Sequence, residues 1–190
     1  GNQNKKINNL AINNKGYWAI SDSKLFNYAD QQVIETASFT QHSPLTAITS
    51  TDNNIWIGSF RSGLLRYSPS SKKLTQFKST ESIEGALPSN VVSSLLLDKS
   101  QTLWVGMYRP TTKKPGGMAK FDLETNKFIS YLPNLSITSI VELNDNTLLI
   151  GTYYNGLLLF NKTSGKAETI NLGGNSNNFI RTLFLENENT

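Results

Sequence analysis

Three stretches of this chain are copies of one another. Asn53–Pro69 reads NNIWIGSFRSGLLRYSP, Gln101–Leu123 reads QTLWVGMYRPTTKKPGGMAKFDL, and Asn146–Lys162 reads NTLLIGTYYNGLLLFNK. Recurrence constrains the fold more than any other feature. Each copy must form the same small unit, and units too small to bury their own apolar faces stack on one another.

The copies align on Ile57-Gly58, Val105-Gly106 and Ile150-Gly151, preceded by Trp56, Trp104 and Leu149. A second glycine follows at Gly63, Gly117 and Gly156. An aromatic stands four residues past it each time, at Tyr67, Phe121 and Phe160, and Phe77, Tyr131 or Ile170 comes ten residues later. A degenerate fourth copy precedes them. Trp18 holds the aromatic position, Leu25, Phe26 and Tyr28 match Leu64, Leu65 and Tyr67, and Lys24 replaces the glycine. From Trp18 the spacings are 38, 48 and then 45 residues to Leu149. Four-stranded propeller units run at roughly 40–50 residues.

Each copy reads as four short strands. An apolar run comes first (Leu45–Thr49, Val91–Leu97, Ile137–Leu143), then the Trp-Gly strand. A strand opening at the second glycine follows, and KLTQF, KFISY or KAETI closes the unit. The turns carry Asn, Asp, Ser, Pro and Gly, which preset a turn or tolerate left-handed backbone. No window shows a 3.6-residue apolar period. The expected fold is all-β, a β-propeller fragment with blades over 7–40, 44–80, 87–132 and 135–172. The tail FIRTLFLENENT repeats the first strand: Ile180 matches Val92 and Ile137, which precede Trp104 and Leu149 by twelve residues. A partial fifth blade is therefore expected over 178–190. The anchors Trp18, Trp56, Trp104 and Leu149 belong between blades, and Gly58, Gly106 and Gly151 allow close backbone approach. An open arc leaves two apolar end faces, so a homodimer or larger assembly is expected.

LPSNVVSSLLLDKSQTLWVGMY, Leu87 to Tyr108, resembles the two-component regulator propeller repeat. The positions that carry the resemblance are Leu87, Pro88, Ser89, Asn90, Val91, Asp98, Leu103, Trp104, Val105 and Gly106. The blade of Trp56 lacks the Leu-Pro-Ser-Asn start, and the next but one departs at Leu149. The resemblance implies a large propeller in the periplasmic or extracellular sensor part of a bacterial inner-membrane signalling protein. A membrane helix and a histidine kinase or diguanylate cyclase usually follow, and carbohydrates are ligands of some members.

Chemistry in the chain itself is sparse. There are 190 residues, 37% hydrophobic, a size that suits one globular domain with a real core. The net charge is +4 with acids and bases interspersed, so no basic arm for nucleic acid stands out. With no Cys, disulfides and thiolate metal sites are excluded. No run of 18 apolar residues argues for membrane insertion. Gly1 and the polar residues after it read as the scar of a cleaved tag. One histidine, His42, reads as a solvated loop residue and cannot alone serve a hydrolytic triad or a histidine metal site. Asp52, Asp98 and Asp145 recur at turns and read as turn formers. No catalytic residue, metal or cofactor is therefore expected.

One constellation points to binding. The loops joining the second and third strands carry Phe60-Arg61, Tyr108-Arg109 and Tyr153-Tyr154-Asn155. Equivalent positions on successive blades would set these side chains around one rim. Aromatic faces stack on sugar rings or other flat surfaces, and Arg binds carboxylates by forked hydrogen bonds. The second loop also holds an insertion, a common decoration of a binding face. The expected function is a non-catalytic ligand-sensing module for a small molecule or oligosaccharide. A protein-interaction scaffold and part of a secreted lyase or glycan-active enzyme are the alternatives.

Overall fold

The computed structural model describes residues 6–29, 32–80, 83–111, 115–173 and 178–186. Residues 112–114 of the insertion and 187–190 of the expected fifth blade lie outside them. Within these residues the chain forms four antiparallel four-stranded sheets, each a meander in sequence order. The first holds β1 (Asn9–Asn13), β2 (Gly16–Ser21), β3 (Lys24–Ala29) and β4 (Gln32–Ser38). The second holds β5 (Leu45–Ser50), β6 (Ile55–Ser59), β7 (Leu64–Ser68) and β8 (Lys73–Phe77). The third holds β9 (Val92–Leu97), β10 (Leu103–Met107), β11 (Gly117–Asp122) and β12 (Lys127–Tyr131). The fourth holds β13 (Ile137–Asn144), β14 (Thr147–Thr152), β15 (Leu157–Asn161) and β16 (Ala167–Ile170). The innermost strands touch in the order β1, β5, β9, β13, so the sheets stack as successive blades of an open propeller arc.

The core lies between the blades. Trp18 packs with Leu45, Ile55 and Tyr67 of the second sheet. Trp56 packs with Val92, Leu103 and Phe121 of the third, and Trp104 with Ile137, Leu148 and Phe160 of the fourth. The aromatic four residues past the second glycine is thus the other half of each joint: ring centroids lie 5.0 Å apart for Trp56–Phe121 and 5.7 Å for Trp104–Phe160. This is why the two positions recur together. Leu149 takes the same position in the last sheet and is half-buried, since no further sheet covers it among the described residues.

The glycine after each anchor sits where the next blade comes closest. A Cβ at Gly106 would lie 2.8 Å from Ile137 Cγ2, and one at Gly151 the same distance from Ile180 Cγ2. Opposite these glycines the inner strand carries a bulge. Pairing skips Thr46, Ser93 and Thr138, each between two residues that face β6, β10 or β14. The skipped residue turns its hydroxyl sideways, because a bulge re-aims a side chain out of the ladder. Thr46 donates to the carbonyl of Val92, Ser93 to that of Ile137, and Thr138 to that of Ile180. Asn8 makes the corresponding bond to Leu45 in the first joint. A hydroxyl or amide thus links each blade's inner edge to the segment that follows it in the arc.

The expected first strand of a fifth blade takes its place without becoming a strand. Residues 178–186 lie beside β13 and β14, where Ile180 N–H donates to Thr152 and Gly156 N–H to Asn178. Leu183 N–H donates to Ser139 Oγ. These bonds are scattered because a ladder needs a paired strand, and none lies on the far side among the described residues.

The second glycine of the repeat has a different task. Gly117 has φ +85°, and a Cβ there would run into the carbonyl oxygens of Tyr131 and Leu132. Gly156 has φ +71° but no other atom nearer than 3.8 Å. Alanine at either position meets the left-handed penalty of about 1–2 kcal/mol. Only at Gly117 does it also collide with backbone. Gly117→Ala is therefore expected to lose about 1–3 kcal/mol more stability than Gly156→Ala. Urea denaturation of the two variants checks this, and equal losses would contradict it.

Candidate functional site

The three rim loops are pinned in the same way. Phe60 N–H donates to the Pro44 carbonyl, Tyr108 to Val91 and Tyr153 to Ser136, each at 2.9 Å. Each bond ties the loop to the segment that enters its own blade. In the two short loops a buried hydroxyl closes the turn: Ser59 Oγ donates to the Gly63 carbonyl and Thr152 Oγ1 to Gly156, at 2.9 and 2.7 Å. The next residue on is held by Ser43 Oγ at Arg61 N–H and by Ser136 Oγ at Arg109 N–H. Because the pinning repeats, the aromatic side chains leave the three blades at matching positions.

These loops enclose one open cavity of about 880 Å³. Phe60, Arg61, Tyr108, Arg109, Tyr153, Tyr154 and Asn155 all line it, so every rim residue singled out in the sequence comes together there. Val91, Pro110, Thr111, Asn134 and Ser136 line it too among the described residues. The aromatic rings form a chain. Tyr153 lies 5.8 Å from Tyr108, 4.3 Å from Tyr154 and 4.7 Å from Phe179, ring centre to ring centre. Tyr154 is 74% exposed and Phe60 is exposed too, leaving aromatic faces open to a ligand. The Arg61 guanidinium lies 5.3 Å from the Phe60 ring centre, a cation–π contact that orients its fork. Burial pushes the Tyr108 phenol above its usual range, Tyr153 adds to this, and Arg181 opposes it. The phenol is therefore a neutral donor at physiological pH. Two arginines and no carboxylate stand among its described lining residues.

Three features were not readable in the sequence. Between the linker into the third blade and the inserted loop lies a second cavity of about 400 Å³. It shares Arg61, Val91 and Pro110 with the first. Its wall is built by the Leu-Pro-Ser-Asn segment: Leu87 is core, Ser89 Oγ donates to the Tyr108 carbonyl, and Asn90 Oδ1 accepts from Ser79 N–H. The motif was visible, but its role as a wall depends on a partner loop from elsewhere in the chain.

The second feature lies at the turn end of the blades, opposite the rim. Asp98 does not behave like Asp52 and Asp145, which are exposed at their turns. It accepts from the Trp104 indole N–H at 2.9 Å, from Thr102 N–H at 2.9 Å and from Lys162 Nζ at 3.1 Å. Lys162 also reaches Glu142 at 2.7 Å, joining the third and fourth blades. Burial alone would raise the Asp98 carboxyl; the Trp104, Thr102 and Lys162 hydrogen bonds outweigh it and hold the group below the usual carboxylate range. Burial likewise works against the Lys162 ammonium, and Glu142 and Asp98 reverse it. The third feature is His42, which is half-buried rather than solvated. Its ring meets Phe39 edge-on and its Nδ1 is enclosed without a hydrogen-bond partner.

Among the described residues no group of three His, Asp or Glu could hold a metal ion, and no helix is long and apolar enough to cross a membrane.

Stacked four-stranded meanders with a loop-built cavity on one rim define an arc of a β-propeller. Residues 86–109 match the family described as two component regulator propeller, so the third blade carries that repeat. The extracellular domain of the hybrid two component system BT3049 from B. thetaiotaomicron superposes with a TM-score of 0.72 at 20% identity, over 91% of this chain and 25% of that one. That of BT4673 from the same organism gives 0.70 at 23%, over 89% and 22%. The computationally designed Ika4 protein gives 0.60 at 14%, over 84% and 92%. The chain thus spans about a quarter of the length of the two extracellular domains. At these identities the likeness establishes the propeller fold. No curated protein matches the chain.

Proposed function

We propose that this chain is a stretch of a non-catalytic, ligand-sensing propeller on the outer side of a bacterial membrane, in a two-component or related signalling protein, and that its rim cavity takes the ligand. The observation that carries this reading is the convergence of seven rim residues from three blades on one cavity. The regulator-propeller repeat at 86–109 and the likeness to extracellular domains of hybrid two component systems support the sensor role and the location. The exposed aromatic faces beside arginines favour a sugar ring bearing a carboxylate, in line with a carbohydrate signal.

The test is Tyr108→Ala with Arg109→Ala, titrated with glucuronic and galacturonic acids by calorimetry. The double variant should bind at least about tenfold more weakly than the parent chain, a loss of about 1.4 kcal/mol. Its unfolding temperature should stay close to the parent's, since both side chains are only half-buried. Binding unchanged by the double substitution would remove these residues from the site.

A further inference from the structure

The aromatic chain of the rim does not end on the fourth blade. Residues 178–180 are seated by the same kind of bond as the segments that enter the earlier blades. Gly63 N–H donates to the Asn90 carbonyl, Gly117 to Leu135 and Gly156 to Asn178, at 3.1, 2.7 and 2.7 Å. Phe179 therefore holds the place of Val91 and Ser136, both of which line the large rim cavity. Its ring packs edge-on against Tyr153 and is still 42% exposed. With Tyr153, Tyr154 and Asn178 it lines a further cavity of about 240 Å³. Tyr153 and Tyr154 are walls of both cavities, so the two adjoin.

Arg181 breaks the pattern of the inner strands. It follows Ile180 as Thr46 follows Leu45, Ser93 follows Val92 and Thr138 follows Ile137. Those three residues turn a hydroxyl out of the ladder toward the next inner segment. At the fifth place an exposed guanidinium stands instead. Its charge acts on the Tyr108 phenol, while Phe179 touches Tyr153, and the Tyr108 and Tyr153 ring centres are 5.8 Å apart. Both side chains thus come back to one pair of tyrosines. A ring face, a carboxamide and a guanidinium suit the three parts of a sugar acid. The aromatic stacks on its C–H face, the amide meets a hydroxyl, and the arginine forks onto the carboxylate.

We infer that Asn178, Phe179 and Arg181 form a further subsite of the rim, which takes the second ring of an acidic disaccharide whose first ring occupies the large cavity. The inference rests on the rim cavity being the ligand site.

The experiment titrates the 190-residue chain with galacturonic acid, digalacturonic acid and the neutral galactose disaccharide. Calorimetry gives affinity and amide-shift mapping gives location. Digalacturonic acid should bind at least about tenfold more tightly than either other sugar, because a hydrogen-bonded charge is worth about that factor or more. It should also shift the amides of residues 178–181, which galacturonic acid should leave in place. Arg181→Gln and Phe179→Ala should each erase most of the advantage of the second ring and leave the affinity for galacturonic acid unchanged. Circular dichroism of both variants verifies that they are folded, and Arg181→Gln alters only an exposed side chain. If galacturonic acid binds at the rim but the second ring adds nothing, the subsite falls and the rim site stands. The same holds if the variants weaken both acids alike. If neither acid moves the rim amides, both readings fall.

Discussion

Trp104→Ala should destabilise the chain by about 3–5 kcal/mol, the range for removing a large aromatic from a tight core. Trp104 is 1% exposed and fills the joint between the third and fourth blades against Phe160, with Tyr131 at 5.9 Å. The substitution also removes the indole N–H from Asp98, so a buried carboxylate loses a donor. Trp104→Phe should recover most of the packing but not that bond, and so fall between the two. Trp18→Ala should cost less, because its joint is nearer the exposed first sheet and its indole bond, to Asn13, is longer at 3.3 Å. Thermal and urea unfolding measure the order. For a domain of this size a loss of 1 kcal/mol lowers the midpoint by roughly 2–4 °C. A Trp104→Ala loss below about 1 kcal/mol would mean the joint repacks around the gap.

Lys162→Met should be nearly as damaging, for an electrostatic reason. The lysine side chain is 11% exposed and sits between Asp98 at 2% and Glu142 at 7%. Removing one member of a buried ion cluster leaves uncompensated charge and costs about 3–5 kcal/mol. The effect carries a pH signature. The Asp98 carboxyl is held below its ordinary value of 3.8, so its contribution is present above that value and is lost as pH falls through the lower folded one. The Lys162 ammonium is held above 10.5, so its contribution is full below 10.5 and is lost as pH rises through the higher folded value. The stability gap between parent and Lys162→Met should be widest between these limits and narrow as pH falls through the lowered folded value of Asp98, where protonation relieves that stranded carboxylate. Equal gaps at neutral pH and in acid would show that charge is not what Lys162 supplies.

How much was legible follows from what repeats. Trp56 and Trp104 were readable as joint residues because each blade has the same apolar face to cover. The rim set was readable because matching positions on stacked units must lie side by side. Asp98 was not separable from Asp52 and Asp145 by its turn context. What distinguishes it is Lys162, which stands 64 residues later in the next blade and reaches back across the joint. Nor did Ser93 or Thr138 announce themselves among many hydroxyls. Their role comes from a bulge, which one extra residue in a ladder creates only once the partner strand is in place.

The sequence by itself determined the unit: a four-stranded meander with its Trp, two glycines and second aromatic. Spacing and turn chemistry are local properties, and identical spacing forces identical packing. The tertiary structure alone decided what lies between units: the hydroxyl links from blade to blade, the buried Asp98–Lys162–Glu142 cluster, and the two adjoining rim cavities with Arg61 on their boundary. Each of these needs side chains from separate blades to meet, and the distances between them are fixed by how the sheets stack.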